Sequence, residues 1–224
     1  ALTWMDARVS GRPITQRAGK PVEVNGLWVA GLGFLATLHT RLGEPAHHLE
    51  ALHARAAASF VRRFPRPDGG LADVLDGPAG DDTSLRPNQL IAAGTASVPG
   101  LDAAAIARAC APLVTPLGLR SLGPAEPGYA GRYAGPMPER DAVYHQGTVW
   151  GWLIGPFVSA HLRVYGDKAA AQSYLDSLMH HQIRSHGMGS LSEIFDGDAP
   201  FTPRGCVAQA WSVAEVLRAW QETN

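Results

Sequence analysis

Two carboxylates in this sequence stand among residues that could put them to chemical use. Asp6 follows Trp4 in "TWMDA", residues 3–7, and an indole beside a carboxyl group can desolvate it and offer a flat apolar face to a sugar ring. Glu193 lies in "GSLSEIFDGD", residues 189–198, a Gly/Ser-rich stretch between two helical patterns. One carboxyl group that donates a proton, with a second that activates water or attacks carbon, is the equipment for cleaving a glycosidic bond. Each residue also has an ordinary explanation, as a helix cap or a solvated charge. Chemistry requires that the fold bring the two ends of the chain together.

Other polar residues cluster in the same way. "VEVN" puts Glu23 and Asn25 in the first turn of a helix, where an acid is favoured by the dipole alone. "YHQGTVW" offers Tyr144, His145, Gln146 and Trp150 at the end of the longest loop, a set able to hydrogen-bond and stack on a sugar, although His145 could equally be a structural histidine. "RPNQ", residues 86–89, reads as a capped helix start. Trp4 and Trp150 flank loops and are expected to stack on sugar, whereas Trp28 and Trp211 fall at core spacing and are expected to pack. The histidines at 47/48, 180/181 and 186 have no acidic or Cys partner at ligand spacing, so neither a metal site nor a cofactor is expected.

The elements that must position these residues read as helices. Within residues 21–42, Val24, Leu27, Trp28, Gly31, Leu35 and Leu38 recur at steps of three and four behind Pro21. Residues 45–64 repeat the arrangement with Leu49, Leu52, Ala56 and Phe60, so an antiparallel pair is expected. Further helices are expected at 88–98, 102–113, 147–165, 168–186 and 206–222, with Gly166 and Asp167 as stop and cap. No convincing strand is found. Gly/Pro-rich loops at 65–86, 115–145 and 187–205 hold most of the polar clusters, and loops of that length are uncommon in a compact domain unless they build a site.

Composition sets the outer limits. With 224 residues, 46% hydrophobic and 17% charged, residues 1–224 are expected to form a single globular domain or a large piece of one. Twenty acidic against 19 basic residues leave no field to hold nucleic acid or an anionic membrane. Cys110 and Cys206 read as reduced, packed thiols. No run of 18 apolar residues exists and no basic stretch followed by an apolar core opens the chain, so a cytoplasmic protein without a membrane span is expected.

Taken together and in order, "TWMDA", "PITQRAGKPVEVNGLW", "RPNQ", "TPLGLRSL", "YHQGTVWGWLIGPF" and "LSEIFDGDAPFTPRGCVAQAWSVAEVLRAW" resemble the C-terminal domain of glycogen debranching enzymes, the amylo-α-1,6-glucosidase family. The resemblance implies an all-α (α/α)6 toroid with the active site at a mouth formed by inter-helix loops. It also implies hydrolysis of α-1,6-linked glucosyl branches of glycogen or limit dextrin with inversion, Asp6 as general acid and Glu193 as general base. Trp4, Glu23, Asn25, Tyr144, His145, Gln146, Trp150, Arg204 and Gln209 are expected to line that mouth. The sequence departs from the family pattern at Gln16, Gly26 and Gly151, where Pro, Ala and Pro are usual, and these read as helix-end adjustments. Of the twelve helices in such a toroid the periodicity gives about seven, so the chain is expected to be the C-terminal part of one. Two other readings stand beside this. An open fragment could bind carbohydrate or self-associate through exposed inner faces without chemistry, and a related toroid glucosidase could act on another α-glucoside.

Overall fold

In the computed structural model, which describes residues 3–185 and 189–224, helices carry the architecture and very short strands tie their loops together. Helix α1 (Val22–Arg41) starts behind Pro21, whose extended backbone ends the preceding loop, with Glu23 in its first turn. Gly43, at φ +75°, ends it after the C-cap Leu42, and α2 (His47–Arg63) returns antiparallel. The helices α3 (Ala103–Ala109) and α6 (Lys168–Ser185) are capped by the carboxylates of Asp102 and Asp167, which accept from the N–H groups of Ala105 and Ala170 at 2.9 Å. Helix α5 (Ile154–Tyr165) stops at left-handed Gly166, as its spacing predicts. Helix α7 (Ala210–Thr223) closes the chain, and a five-residue helix, α4 (Met137–Asp141), lies in the loop where none was expected.

The helices pack in two rows. In one row α1 touches a single π-helical turn at Ile91–Thr95, that turn touches α5, and α5 touches α7. Behind them α2 backs α1, α3 backs α5, and α6 backs α5 and α7. Leu90, Leu153, Ile154, Val158, Leu175 and Leu178 are buried where the rows meet, each contributing roughly 1.5–3 kcal/mol relative to exposure. Close approach is permitted at Gly26, where an added Cβ would lie 2.9 Å from that of Ala92. That glycine, inside the first turns of α1, therefore serves packing between helices and not the end of one.

Four sequence expectations change. The helix expected over 88–98 is reduced to the π turn, and that over 102–113 splits into α3 and a 3₁₀ turn at Ala111–Leu113. The helix expected from 147 begins at Ile154, because Val149–Trp150 is a strand followed by a 3₁₀ turn at Gly151–Leu153. His186, expected to end α6, lies outside the described residues. Strands are present after all, all of them antiparallel. A pair, β1 (Arg8–Val9) and β2 (Arg12–Pro13), follows the TWMDA segment. A three-stranded sheet joins β3 (Lys20–Pro21), β4 (Val74–Gly77) and β5 (Gly80–Asp82). A five-stranded sheet runs β10-β9-β8-β7-β6, comprising β6 (Val114–Thr115), β7 (Gly118–Arg120), β8 (Val149–Trp150), β9 (Ile194–Phe195) and β10 (Pro203–Arg204). Its register sets Trp150 opposite Ile194, which places the loop before β8 beside Glu193.

Two helices at the ends of the inner row carry apolar surface that no described residue covers. On α1 these are Val24, Leu27, Trp28, Phe34, Leu35 and Leu38, and on α7 Trp211, Leu217 and Trp220. Trp28 and Trp211, expected to pack, are 57% and 48% exposed, because the faces predicted from their spacing meet no further helix here. Among the described residues no helix is long and apolar enough to cross a membrane.

Candidate active site

The segment holding Asp6 is fixed through its neighbours. Met5 is fully buried, Trp4 is half-buried, and the Asp6 carboxylate is exposed. The Trp4 indole N–H donates to Asn88 Oδ1 at 2.7 Å, and its ring makes edge contacts with His145, Trp150 and Trp152 at centroid distances of 5.3, 5.1 and 5.1 Å. The indole thus forms part of an aromatic box. Its free edge lines a cavity of about 510 Å³ shared with Glu23, Leu27, Trp152 and Trp211.

Glu193 is held from the other end of the chain. The backbone N–H of Cys206 donates to its Oε2 at 2.9 Å and the Gln209 side-chain amide to its Oε1 at 3.2 Å. Its own N–H pairs with the Cys206 carbonyl. These donors come from the segment entering α7, not from the Gly/Ser-rich stretch before Glu193. Gly205, at φ +66°, is required here, since a Cβ on it would overlap Glu193 Oε2.

Tyr144 lies within the electrostatic influence of both acids. Burial, then its hydrogen bond to Glu193 and the charge of that carboxylate, then Tyr133 and Asp6, push its phenol far above the ordinary value. Tyr144 therefore stays protonated, a donor toward Glu193 within the field of Asp6. Asp6 and Glu193, at opposite ends of the chain, thus both lie within electrostatic reach of Tyr144.

The remaining expected residues divide. Glu23 is buried and bonded by both terminal nitrogens of Arg17, on the wall of the cavity that Trp4 lines. Asn25 is not beside it. Two positions along a helix turn a side chain by about 200°, and Asn25 donates to the Pro21 carbonyl at 2.8 Å in the groove between α1 and α2, with Trp28, Ser59 and Arg63. Trp150 is 3% exposed, its ring stacked on His145 at 5.1 Å and its N–H donating to Thr148 Oγ1 at 3.1 Å, so it packs and offers no free face to a sugar. His145 is 1% exposed beneath Trp4 and Trp150, and neither ring nitrogen has a protein partner. Burial, with Arg86 and Arg17 nearby, pushes it down to about 3, a neutral structural histidine. Gln146 accepts from Arg86 Nη2 at 2.8 Å. Arg204 forms a two-pronged ion pair with Asp196, at 3.1 and 2.9 Å, across the β9–β10 pair. Gln209 reaches the site, but as a partner of Glu193.

Sequence reasoning missed a buried charge network that braces all of this. Arg17 donates to Asp73 at 2.6 and 3.0 Å while gripping Glu23, and Asn88 donates to Asp73 Oδ1 at 2.7 Å. Arg86 donates to the carbonyls of Ser121 and His145 at 3.0 and 2.8 Å. Two buried cations and two buried anions cancel. Burial alone would lower Arg17, and Asp73 and Glu23 more than offset it, whereas burial prevails at Arg86 and lowers it. "RPNQ" and "TQRAGK" contained these arginines, but Asp73, in a loop without pattern, gave no signal. Among the described residues no cluster of three or more His, Cys, Asp or Glu is placed to hold a metal ion.

Comparison with known proteins follows the same lines. Residues 1–218 match the family model described as amylo-alpha-1,6-glucosidase. The glycogen debranching enzyme of Saccharomyces cerevisiae is 26% identical over 278 residues, covering 96% of this chain and 18% of that protein. Among solved structures, a GH63 mannosylglycerate hydrolase from Thermus thermophilus superposes with a TM-score of 0.63 at 18% identity, over 90% of this chain and 45% of that one. A glycoside hydrolase family 15 glucoamylase from Hypocrea jecorina gives 0.55 at 13%, over 90% and 41%. The chain thus spans under a fifth of the yeast relative and under half of these structures. The likeness shows the fold: the two rows of helices are part of an (α/α)6 toroid, incomplete in this chain.

Proposed function

The chain belongs to the amylo-alpha-1,6-glucosidase family, and from that premise we propose that it supplies the acid and base that hydrolyse the α-1,6-linked glucosyl stub of a branched α-glucan such as limit dextrin. The observation that carries this reading is that both Glu193 oxygens are held by N–H donors, while Tyr144 lies within electrostatic reach of Glu193 and Asp6 alike. Asp6, which is exposed, gives its proton to the glycosidic oxygen as the bond from that oxygen to the anomeric carbon breaks. A water attacks the anomeric carbon from the opposite face and passes its proton to Glu193, so the product is β-glucose. The pair needs room for that water, roughly 6.5–9.5 Å between carboxyl groups. Trp4, Glu23 and the cavity they line supply apolar and polar walls for the sugar.

The test is glucose release by the full natural polypeptide from a singly branched limit dextrin, compared with maltose and trehalose. Release from the dextrin at a rate well above the others supports the proposal. A preference for maltose or trehalose would assign the pair to another α-glucoside. The exposed apolar faces of α1 and α7 favour a second reading for residues 1–224 alone, a carbohydrate-binding or assembly piece without activity. Light scattering beside the same assay separates the two. A monomeric, active fragment would remove the second reading, and an associated, inactive one would favour it.

A further inference from the structure

We infer that Asn88, together with Arg86, is a positioning element that sets where Asp6 stands relative to Glu193; the inference rests on the acid and base reading above. Among the described residues the Asp6 carboxylate has no hydrogen-bond partner, so its placement falls to its two neighbours. Both are fastened to one turn. Trp4 donates to Asn88 Oδ1 at 2.7 Å, and the Met5 sulfur lies 3.8 Å from Asn88 Nδ2 and 3.7 Å from Arg86 Nη1.

The same turn reaches the other half of the mouth. Arg86 donates to the His145 carbonyl at 2.8 Å and to Gln146 Oε1 at 2.8 Å, within the loop that strand pairing places beside Glu193. Pro87, between the two, fixes one backbone angle of the turn. Residues 86–88 therefore span from the segment that ends in Asp6 to the loop that faces Glu193. An amide is the side chain suited to position 88, because it accepts from the indole with one atom and donates to Asp73 with the other, which neither a carboxylate nor an aliphatic chain can do. Asn88 and Asp73 are both buried, and Arg17 holds Asp73 in turn, so the anchor is rigid.

A proton donor misplaced by about 1 Å loses on the order of 100-fold in rate. That loss has a signature that general unfolding lacks. Cleavage of a glucan needs the leaving oxygen protonated, whereas α-glucosyl fluoride releases fluoride without a proton from an acid. The experiment measures kcat and KM of the full natural polypeptide and its Asn88→Ala, Trp4→Phe and Asp6→Asn variants on a singly branched limit dextrin and on α-glucosyl fluoride. Asn88→Ala is expected to lower kcat on the dextrin roughly 100-fold, with less than about a threefold loss on the fluoride and little change in KM. Trp4→Phe keeps an aromatic side chain but removes the N–H donor together with the five-membered ring, so it should show the same selectivity. It decides the matter if Asn88→Ala does not fold. Selective loss in Asp6→Asn with equal losses on both substrates in the Asn88 and Trp4 variants would overturn the inference and leave the reading standing. Equal losses in Asp6→Asn would overturn the reading and the inference with it.

Discussion

Gln209 donates its side-chain amide to Glu193 Oε1 at 3.2 Å, three residues beyond the backbone amide of Cys206 that donates to Oε2 of the same carboxylate at 2.9 Å. The entry to α7 thus grips both oxygens of the proposed base. Gln209→Leu removes one donor while the Cys206 amide keeps the other. A base free to turn activates water poorly, so kcat should fall roughly 10- to 100-fold with KM nearly unchanged. Steady-state kinetics on limit dextrin check this. A rise in KM at constant kcat would mean that Gln209 contacts the sugar instead.

Arg17→Met leaves Glu23 and Asp73 buried without their shared cation. Breaking a buried pair by removing one partner costs roughly 3–5 kcal/mol, which for a domain of this size lowers the melting temperature by on the order of 10 °C. Thermal unfolding followed by circular dichroism reads it. Replacing Arg204, whose pair with Asp196 is partly exposed, should cost far less.

His145 gives the fold an acid-sensitive point. Its folded value near 3 lies below the ordinary value of 6.5, so between those limits the unfolded chain binds a proton that the folded chain does not. Stability is therefore complete above about pH 6.5 and is lost as the pH falls toward 3, on the order of 2 kcal/mol by pH 5. His145→Phe keeps an aromatic ring against Trp150 and removes two buried nitrogens that have no protein partner. Denaturant unfolding at pH 7 and pH 5 should show the variant at least as stable as the parent at pH 7, with a smaller loss at pH 5. An unchanged loss would mean that another group carries it.

Helices were legible wherever an apolar stripe ran for several turns. The α1–α2 pair, and the stop at Gly166 with the cap at Asp167, follow directly from spacing. The five-stranded sheet was not legible, because two- and three-residue strands in Gly/Pro-rich loops are too short for any alternation to register. Yet that sheet aligns Trp150 with Ile194 and carries the Tyr144 loop to Glu193. Side-chain roles failed for a related reason. Trp4 and Trp150 stood at loop edges in the sequence, but the fold turns both into one aromatic box with His145. Glu23 and Asn25 are both expected at the mouth, although helical geometry alone parts them. Asn88, within a motif that reads as a capped helix start, proves to be the partner of Trp4, a long-range contact that no local pattern encodes.

The proposed hydrolysis stands on Asp6 and Glu193 acting as acid and base across a water. Proton NMR of the first glucose released from limit dextrin by the full natural polypeptide, recorded before mutarotation, tests this most directly. Inversion predicts the β-anomer first. Appearance of the α-anomer first would contradict these roles and make Glu193 a nucleophile.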